Sequence, residues 1–226
     1  MEANNELKHA RWAEMWEAGI APGEKFDTQS PSPLLAKFIK EDRIPNGRAL
    51  VPGCGRGYDV TALAAPDRYV LGLDIAEKAV EAARGRRDAL TEDQCASKEN
   101  ADFQMKSFFD LDVSDPNNKF NFIYDYTFLC ALDPSIRHLW AEQMARLIKP
   151  NGELLTLIYP IRPPDEAGPP FQVSLELYKE LLLPVGFECL DLELLPSELC
   201  HTGRDGTEVT EQRIFGSSGI GHWRKL

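Results

Sequence analysis

The sequence predicts an α/β fold: a mostly parallel seven-stranded sheet with an antiparallel last strand, helices on both faces, and a helical element ahead of the first strand. Three observations predict it. Short apolar runs rich in β-branched and aromatic residues alternate with segments of helical periodicity, the pattern of parallel strands joined by crossover helices. The first run opens directly into a turn with three glycines, and the second ends on an aspartate. No period of about 20 to 50 residues repeats, which excludes solenoids and propellers.

In chain order, residues 5–18 form an amphipathic segment with Trp12 and Trp16 at helical spacing. This is an N-terminal helical lid element (1–45) appended to a core (46–226) within one domain, 1–226. RALVP (48–52) is the first strand, followed by the glycine turn and a short helix at 60–65. RYVLGLD (68–74) is the second strand, AEKAVEAARGRRDAL (76–90) a helix and ADFQM (101–105) the third strand. FNFIYDY (120–126) is the fourth. SIRHLWAEQMARLI (135–148) is a helix that Lys149, Pro150, Asn151 and Gly152 terminate, and ELLTLIY (153–159) is the fifth strand. PIRPPDEAGPP (160–170) holds five prolines and predicts a surface loop that continues neither strand nor helix. A helix over 174–187, broken at Pro184, leads to two runs, 188–195 and 208–223, expected as an antiparallel pair closing the sheet edge.

Composition narrows the function. At 226 residues, 43% hydrophobic and 27% charged, the chain can bury a core and is neither disordered nor fibrous. A formal net charge of -11 opposes polyanions, so neither nucleic acid nor an anionic membrane is expected as a partner. No stretch approaches the roughly 18 apolar residues of a membrane span, and the N-terminus lacks a signal-peptide h-region, which predicts a cytoplasmic protein. Nothing resembles a coiled coil, and a monomer is expected. The five cysteines and four histidines are dispersed without metal-ligand spacing, so no metal is expected. Cys54 sits inside the glycine turn, but no base stands beside it in sequence, and its small size suits close packing.

The turn Val51-Pro52-Gly53-Cys54-Gly55-Arg56-Gly57-Tyr58-Asp59 carries the strongest signal. Glycines let the backbone approach a ligand closely, and Asp74, at the end of the second strand, is placed to accept both hydroxyls of a ribose. A dinucleotide fingerprint G-x-G-x-x-G would need its third glycine at Tyr58, whereas here it stands at Gly57. Tyr58 would crowd a pyrophosphate, so a nucleoside without phosphate fits better. G-x-G-x-G followed by this acid resembles the pattern of S-adenosylmethionine (SAM)-dependent methyltransferases.

The resemblance extends through LVPGCGRGYDV, VLGLDIAEKAVEAA, YDYTFLCALDP, RHLWAEQMARLIKPNGELLTLIYPI and GPPFQVS. Together these segments resemble the thiol and halide methyltransferases of the thiopurine S-methyltransferase superfamily, the harmless-to-ozone-layer-like enzymes among them. The likeness implies a Rossmann-like class I methyltransferase fold. It also implies transfer of the methyl of SAM to iodide, bromide, chloride, thiocyanate, hydrosulfide or a small thiol, with S-adenosylhomocysteine released. The alternative within the same superfamily is methylation of bulkier aromatic or metabolite thiols. Little acid–base machinery is expected, because halides need no deprotonation, and charge cancels in the transition state, which favours a dry aromatic pocket.

The resemblance also implies site residues. Asp74 and Ile75 hold the ribose end of the cofactor, and Gly53 and Gly55 approach its methionine and ribose portions. Trp12 and Trp16 match tryptophans that face SAM, and Phe26 lies where a third aromatic is usual; for the tryptophans, core packing is the alternative. Ser107 and Phe108 occupy the adenine position, although Phe108 also reads as a core residue. Asp125 and Tyr126 follow the fourth strand and are expected among the cofactor-binding residues, Asp125 receiving the SAM ammonium or orienting the loop, with capping of the next helix as the alternative. Tyr159, with Trp12 and Phe26, is expected at the nucleophile pocket, with ordinary packing as the alternative for Tyr159.

Overall fold

In a computed structural model, residues 11–95, 97–163, 168–202 and 217–226 are described. Seven strands form one sheet: β1 (Gly47–Pro52), β2 (Arg68–Asp74), β3 (Ala101–Met105), β4 (Phe120–Tyr126), β5 (Ile148–Ile161), β6 (Phe187–Leu194) and β7 (Ser217–Lys225). Their order is β3-β2-β1-β4-β5-β7-β6. The pairs β2/β3 and β4/β5 are parallel, while β7 runs antiparallel to both β5 and β6. The helices are α1 (11–17), α2 (Pro33–Lys40), α3 (Tyr58–Leu63), α4 (Glu77–Ala89), α5 (Arg137–Leu147) and α6 (Leu175–Leu182). No helix of the described residues is long and apolar enough to cross a membrane.

The chain divides into two compact units. The first contains the described residues of Met1–Pro31 with Leu50–Leu111. Within it, α4 turns Ala79, Val80 and Ala83 inward at helical spacing, and α1 adds Trp16, which clusters with Ile20, Ala76 and Ala79.

The second unit, Ser32–Ala49 with Asp112–Leu226, shows how a period of two sorts side chains. In β4, Tyr124 and Tyr126 point one way and Asp125 the other. The Tyr124 face is covered by α2: Ser32 and Tyr124 hydroxyls lie 2.7 Å apart, and Phe38 packs edge-on against His222 of β7. The Asp125 face is covered by α5 and α6, whose Trp140 and Tyr178 meet edge-to-face with centroids 5.8 Å apart.

Several expectations need correction. No sequence signal sets residues 33–40 apart as a helix; the Ser32 hydroxyl caps α2 by accepting from Leu35 N–H at 3.0 Å, and Pro33 supplies the first turn. The Lys149–Gly152 segment ends α5 but does not precede the strand; it is looped out within β5, where the register jumps from Phe120↔Ile148 to Phe122↔Glu153 and Asn151 takes φ 62°. Nor does Pro160 end β5. The strand continues to Ile161 because pairing with β7 skips from Ile158 to Ile161, so the missing N–H of Pro160 falls where the ladder is already interrupted. The expected antiparallel pair at the sheet edge is β7 with β6, β7 lying between β5 and β6. Residues 5–10, 164–167 and 208–216 of the expected elements lie outside the described residues.

Candidate active site

In the first unit the glycine turn follows β1 and opens α3. Gly53, Gly55 and Gly57 all take left-handed backbone, and Gly57 shows why no side chain is tolerated: a Cβ there would lie 2.3 Å from Phe103 Cε1 of β3. At Gly55 the constraint is different. Its N–H donates to Asp74 Oδ2 at 3.0 Å, and a Cβ would lie 3.6 Å from Trp16 Cζ2. The turn is therefore fastened beneath by the carboxylate and flanked by the indole.

Asp74 accepts a second N–H, from Ala76 to Oδ1 at 3.0 Å. Burial pushes its carboxyl above the usual range, opposed by the N–H groups of Ala76, Gly55 and Ile75. A carboxylate offers about four lone-pair sites. Backbone bonds hold it in place while leaving acceptor capacity at the end of β2, so the residues fit the ribose of SAM. Ile75 is half-buried directly beyond it.

Three aromatics of the N-terminal segment gather here. Phe26 packs edge-on to Trp12, centroids 5.5 Å apart, and at 6.0 Å from Trp16. They differ in access: Trp16 is buried with the Arg56 guanidinium 5.4 Å over its ring, whereas Trp12 and Phe26 are half-buried. Trp16 acts as an anchor, while Trp12 and Phe26 keep open surface. Ser107 spends its hydroxyl accepting from Phe109 N–H at 3.3 Å, and Phe108 is buried against Phe109, with centroids 5.3 Å apart.

Asp27 belongs to no motif in the sequence, yet it ties this segment together. Its Oδ1 accepts from Gly23 N–H, Gln29 N–H and the Tyr58 hydroxyl, and its Oδ2 pairs with Arg56 Nε at 2.8 Å. Arg56 also donates to the Ile20 carbonyl. Burial first, then Asp27, pushes the Tyr58 phenol up to about 12. Tyr58 thus serves the N-terminal segment. The Cys54 thiol is pushed well up by burial and by the Asp74 carboxylate, which keeps it protonated.

In the second unit, Asp125 has no exposed surface and its oxygens are taken: Oδ1 accepts from Phe128 and Leu129 N–H at 3.3 Å each, and Oδ2 from Trp140 Nε1 at 2.8 Å. Burial raises its carboxyl to about 6. Its geometry is that of a cap holding the turn after β4. Tyr126, on the other face, meets His201 Nδ1 through its hydroxyl at 2.7 Å. Tyr159 is half-buried near the end of β5. A cavity of about 420 Å³ lined by Lys119, Arg146 and Lys225 includes none of these residues. Among the described residues no group of His, Cys, Asp and Glu is placed to hold a metal ion.

Sheet order, glycine turn and the terminal acid of β2 define a Rossmann-like class I fold. An N-methyltransferase from Bradyrhizobium japonicum, solved with S-adenosyl-L-homocysteine, superposes with a TM-score of 0.66 at 12% identity, over 94% of this chain and 97% of that one. The thiopurine S-methyltransferase family matches residues 7–213, which reach into both units. A relative named probable thiol methyltransferase 2, from Arabidopsis thaliana, is 42% identical over 95% of this chain and 84% of its own length. Thiocyanate methyltransferase 1 from Brassica oleracea is 39% identical over 97% and 87%. The chain belongs to the thiopurine S-methyltransferase family and is a SAM-dependent methyltransferase.

Proposed function

We propose that this enzyme methylates small soft nucleophiles: thiocyanate, hydrosulfide, small thiols, and the halides iodide, bromide and chloride. The observation that carries the reading is the aromatic cluster of Trp12, Trp16 and Phe26 lying against the Gly55 turn. Relatives named for thiol and thiocyanate methylation support the same substrate class.

Bound SAM supplies an electrophilic methyl on a sulfonium. Asp74 and Ile75 hold the ribose, Gly53 and Gly55 admit the methionine portion, and Ser107 and Phe108 flank the adenine. Trp12 and Phe26 exclude water and offer their faces to the cationic centre, an attraction of roughly 0.5–2 kcal/mol. In the second unit Asp125 orients the turn that follows β4. A nucleophile that is already anionic needs positioning and desolvation more than a base.

The test is S-adenosylhomocysteine release with each nucleophile in turn. Release with thiocyanate, hydrosulfide or iodide well above the nucleophile-free background is expected. SAM binding without release for any of them would overturn the proposal.

A further inference from the structure

We propose that Arg56 is a positioning residue that sets Trp12 and Phe26 for recognition of the sulfonium of SAM, an inference that rests on the cofactor reading above and on the first unit alone. Arg56 stands between Gly55 and Gly57, at φ 51° and 71°, in a turn that is tied down twice: Cys54 N–H donates to Leu73 O and Gly57 N–H to Cys54 O, each at 2.8 Å. From that fixed base its guanidinium meets the N-terminal segment at three points. Nε lies 2.8 Å from Asp27 Oδ2, Nη2 donates to the Ile20 carbonyl, and Cζ lies 5.4 Å from the ring centroid of Trp16. Phe26 is the residue before Asp27, and Trp12 lies one helical turn before Trp16 on the same face of α1. Holding Asp27 and Trp16 therefore places the half-buried Trp12 and Phe26, whose rings meet edge-on with centroids 5.5 Å apart.

A guanidinium suits this task where an ammonium does not. Its planar fork presents separate donors to a carboxylate and a carbonyl while its face covers an indole, whereas a lysine offers one compact charge on a flexible stem. Docking itself does not depend on the arginine: Trp16 and Ile20 are buried against Ala76 and Ala79, and Phe26 packs on that cluster. What Arg56 adds is register. It carries the placement of the glycine turn, whose Gly55 N–H is bound to Asp74, across to the aromatics. Arg56 thus acts through Trp12 and Phe26 rather than on the cofactor. A sulfonium is drawn to an aromatic face, and the thioether left after methyl transfer carries no charge to be drawn. Aligned faces therefore favour SAM over S-adenosylhomocysteine, which strengthens binding of the methyl donor and eases release of the product.

The experiment measures, by titration calorimetry on the full chain, the Kd for S-adenosylhomocysteine divided by the Kd for SAM in wild type, Arg56→Lys, Trp12→Ala and the double variant. Arg56→Lys keeps the positive charge and changes only how it is held. A cation–π contribution corresponds to about 2- to 30-fold in affinity, so the ratio should fall by that factor in Trp12→Ala and by a comparable one in Arg56→Lys. The double variant should show no further fall, because both changes interrupt one route. A merely structural role weakens both ligands alike and leaves the ratio at its wild-type value. Should Arg56→Lys fail to fold in a thermal melt, Tyr58→Phe decides by the same ratio, since it withdraws a hydroxyl from Asp27 and keeps the ring. A wild-type ratio in Arg56→Lys beside a lowered one in Trp12→Ala would overturn the role of Arg56, as would losses that add in the double variant. An unchanged ratio in Trp12→Ala would overturn the aromatic reading of the cofactor site, and this inference with it.

Discussion

Arg56 Nε lies 2.8 Å from Asp27 Oδ2, an ion pair that fastens the segment after α1 to the glycine turn. The Asp27 side chain is 3% exposed and that of Arg56 16%, so the pair is desolvated and its remaining acceptor capacity is filled by Tyr58 and two backbone N–H groups. Asp27→Ala leaves Arg56 buried without its carboxylate, a loss of about 3 kcal/mol in such settings. Local opening follows, and trypsin cleavage after the exposed Lys25 should accelerate at least about tenfold. Unchanged cleavage would show that the aromatic packing alone holds the segment.

Asp74→Ala removes the acceptor shared by Gly55 and Ala76. Hydrogen bonds to a charged group contribute about 1.5–3 kcal/mol each, so SAM affinity measured by titration calorimetry should weaken roughly 10- to 100-fold. An unchanged affinity would exclude Asp74 from the cofactor site.

Gly57→Ala sets a methyl against Phe103 and strains a residue at φ 71°. Overpacking costs about 1–3 kcal/mol and left-handed backbone about 1–2 more, so chemical denaturation should show a loss of about 2–5 kcal/mol. A loss below about 1 kcal/mol would mean that β3 and α4 yield around the turn.

Asp125 predicts a pH effect. Its folded carboxyl titrates at about 6, above the ordinary range, so its contribution to stability is fully present below about pH 4 and is lost as pH rises through about 6. From about pH 5 to 7.5 wild type should lose about 1 kcal/mol relative to Asp125→Asn, read as the change in their unfolding free-energy difference. A difference constant with pH would place the titration elsewhere.

Much of this molecule is written locally. Strands β1 to β4 fall within a residue of their apolar runs because those runs are buried and bounded by turns, and the glycine turn with Asp74 is legible from chemistry and spacing alone. What was not legible depends on distant partners. The helical signal at Ser32 and Pro33 was hidden in a stretch that reads as linker. Trp12 and Trp16 have the same spacing pattern, yet Arg56 covers only Trp16, which a helical period does not encode. Asp125 reads as a ligand-facing acid until Trp140, fifteen residues on, takes its second oxygen. The Tyr126–His201 pair joins residues 75 apart through a turn with no motif of its own.

Whether a dry aromatic site selects small soft nucleophiles is read from the ratio of kcat/KM for thiocyanate to that for a bulky aryl thiol. A ratio well above one is expected in wild type, falling when Trp12 is replaced by Ala and the pocket widens. A ratio below one, indifferent to Trp12, would contradict it and make the enzyme a methyltransferase for large thiols.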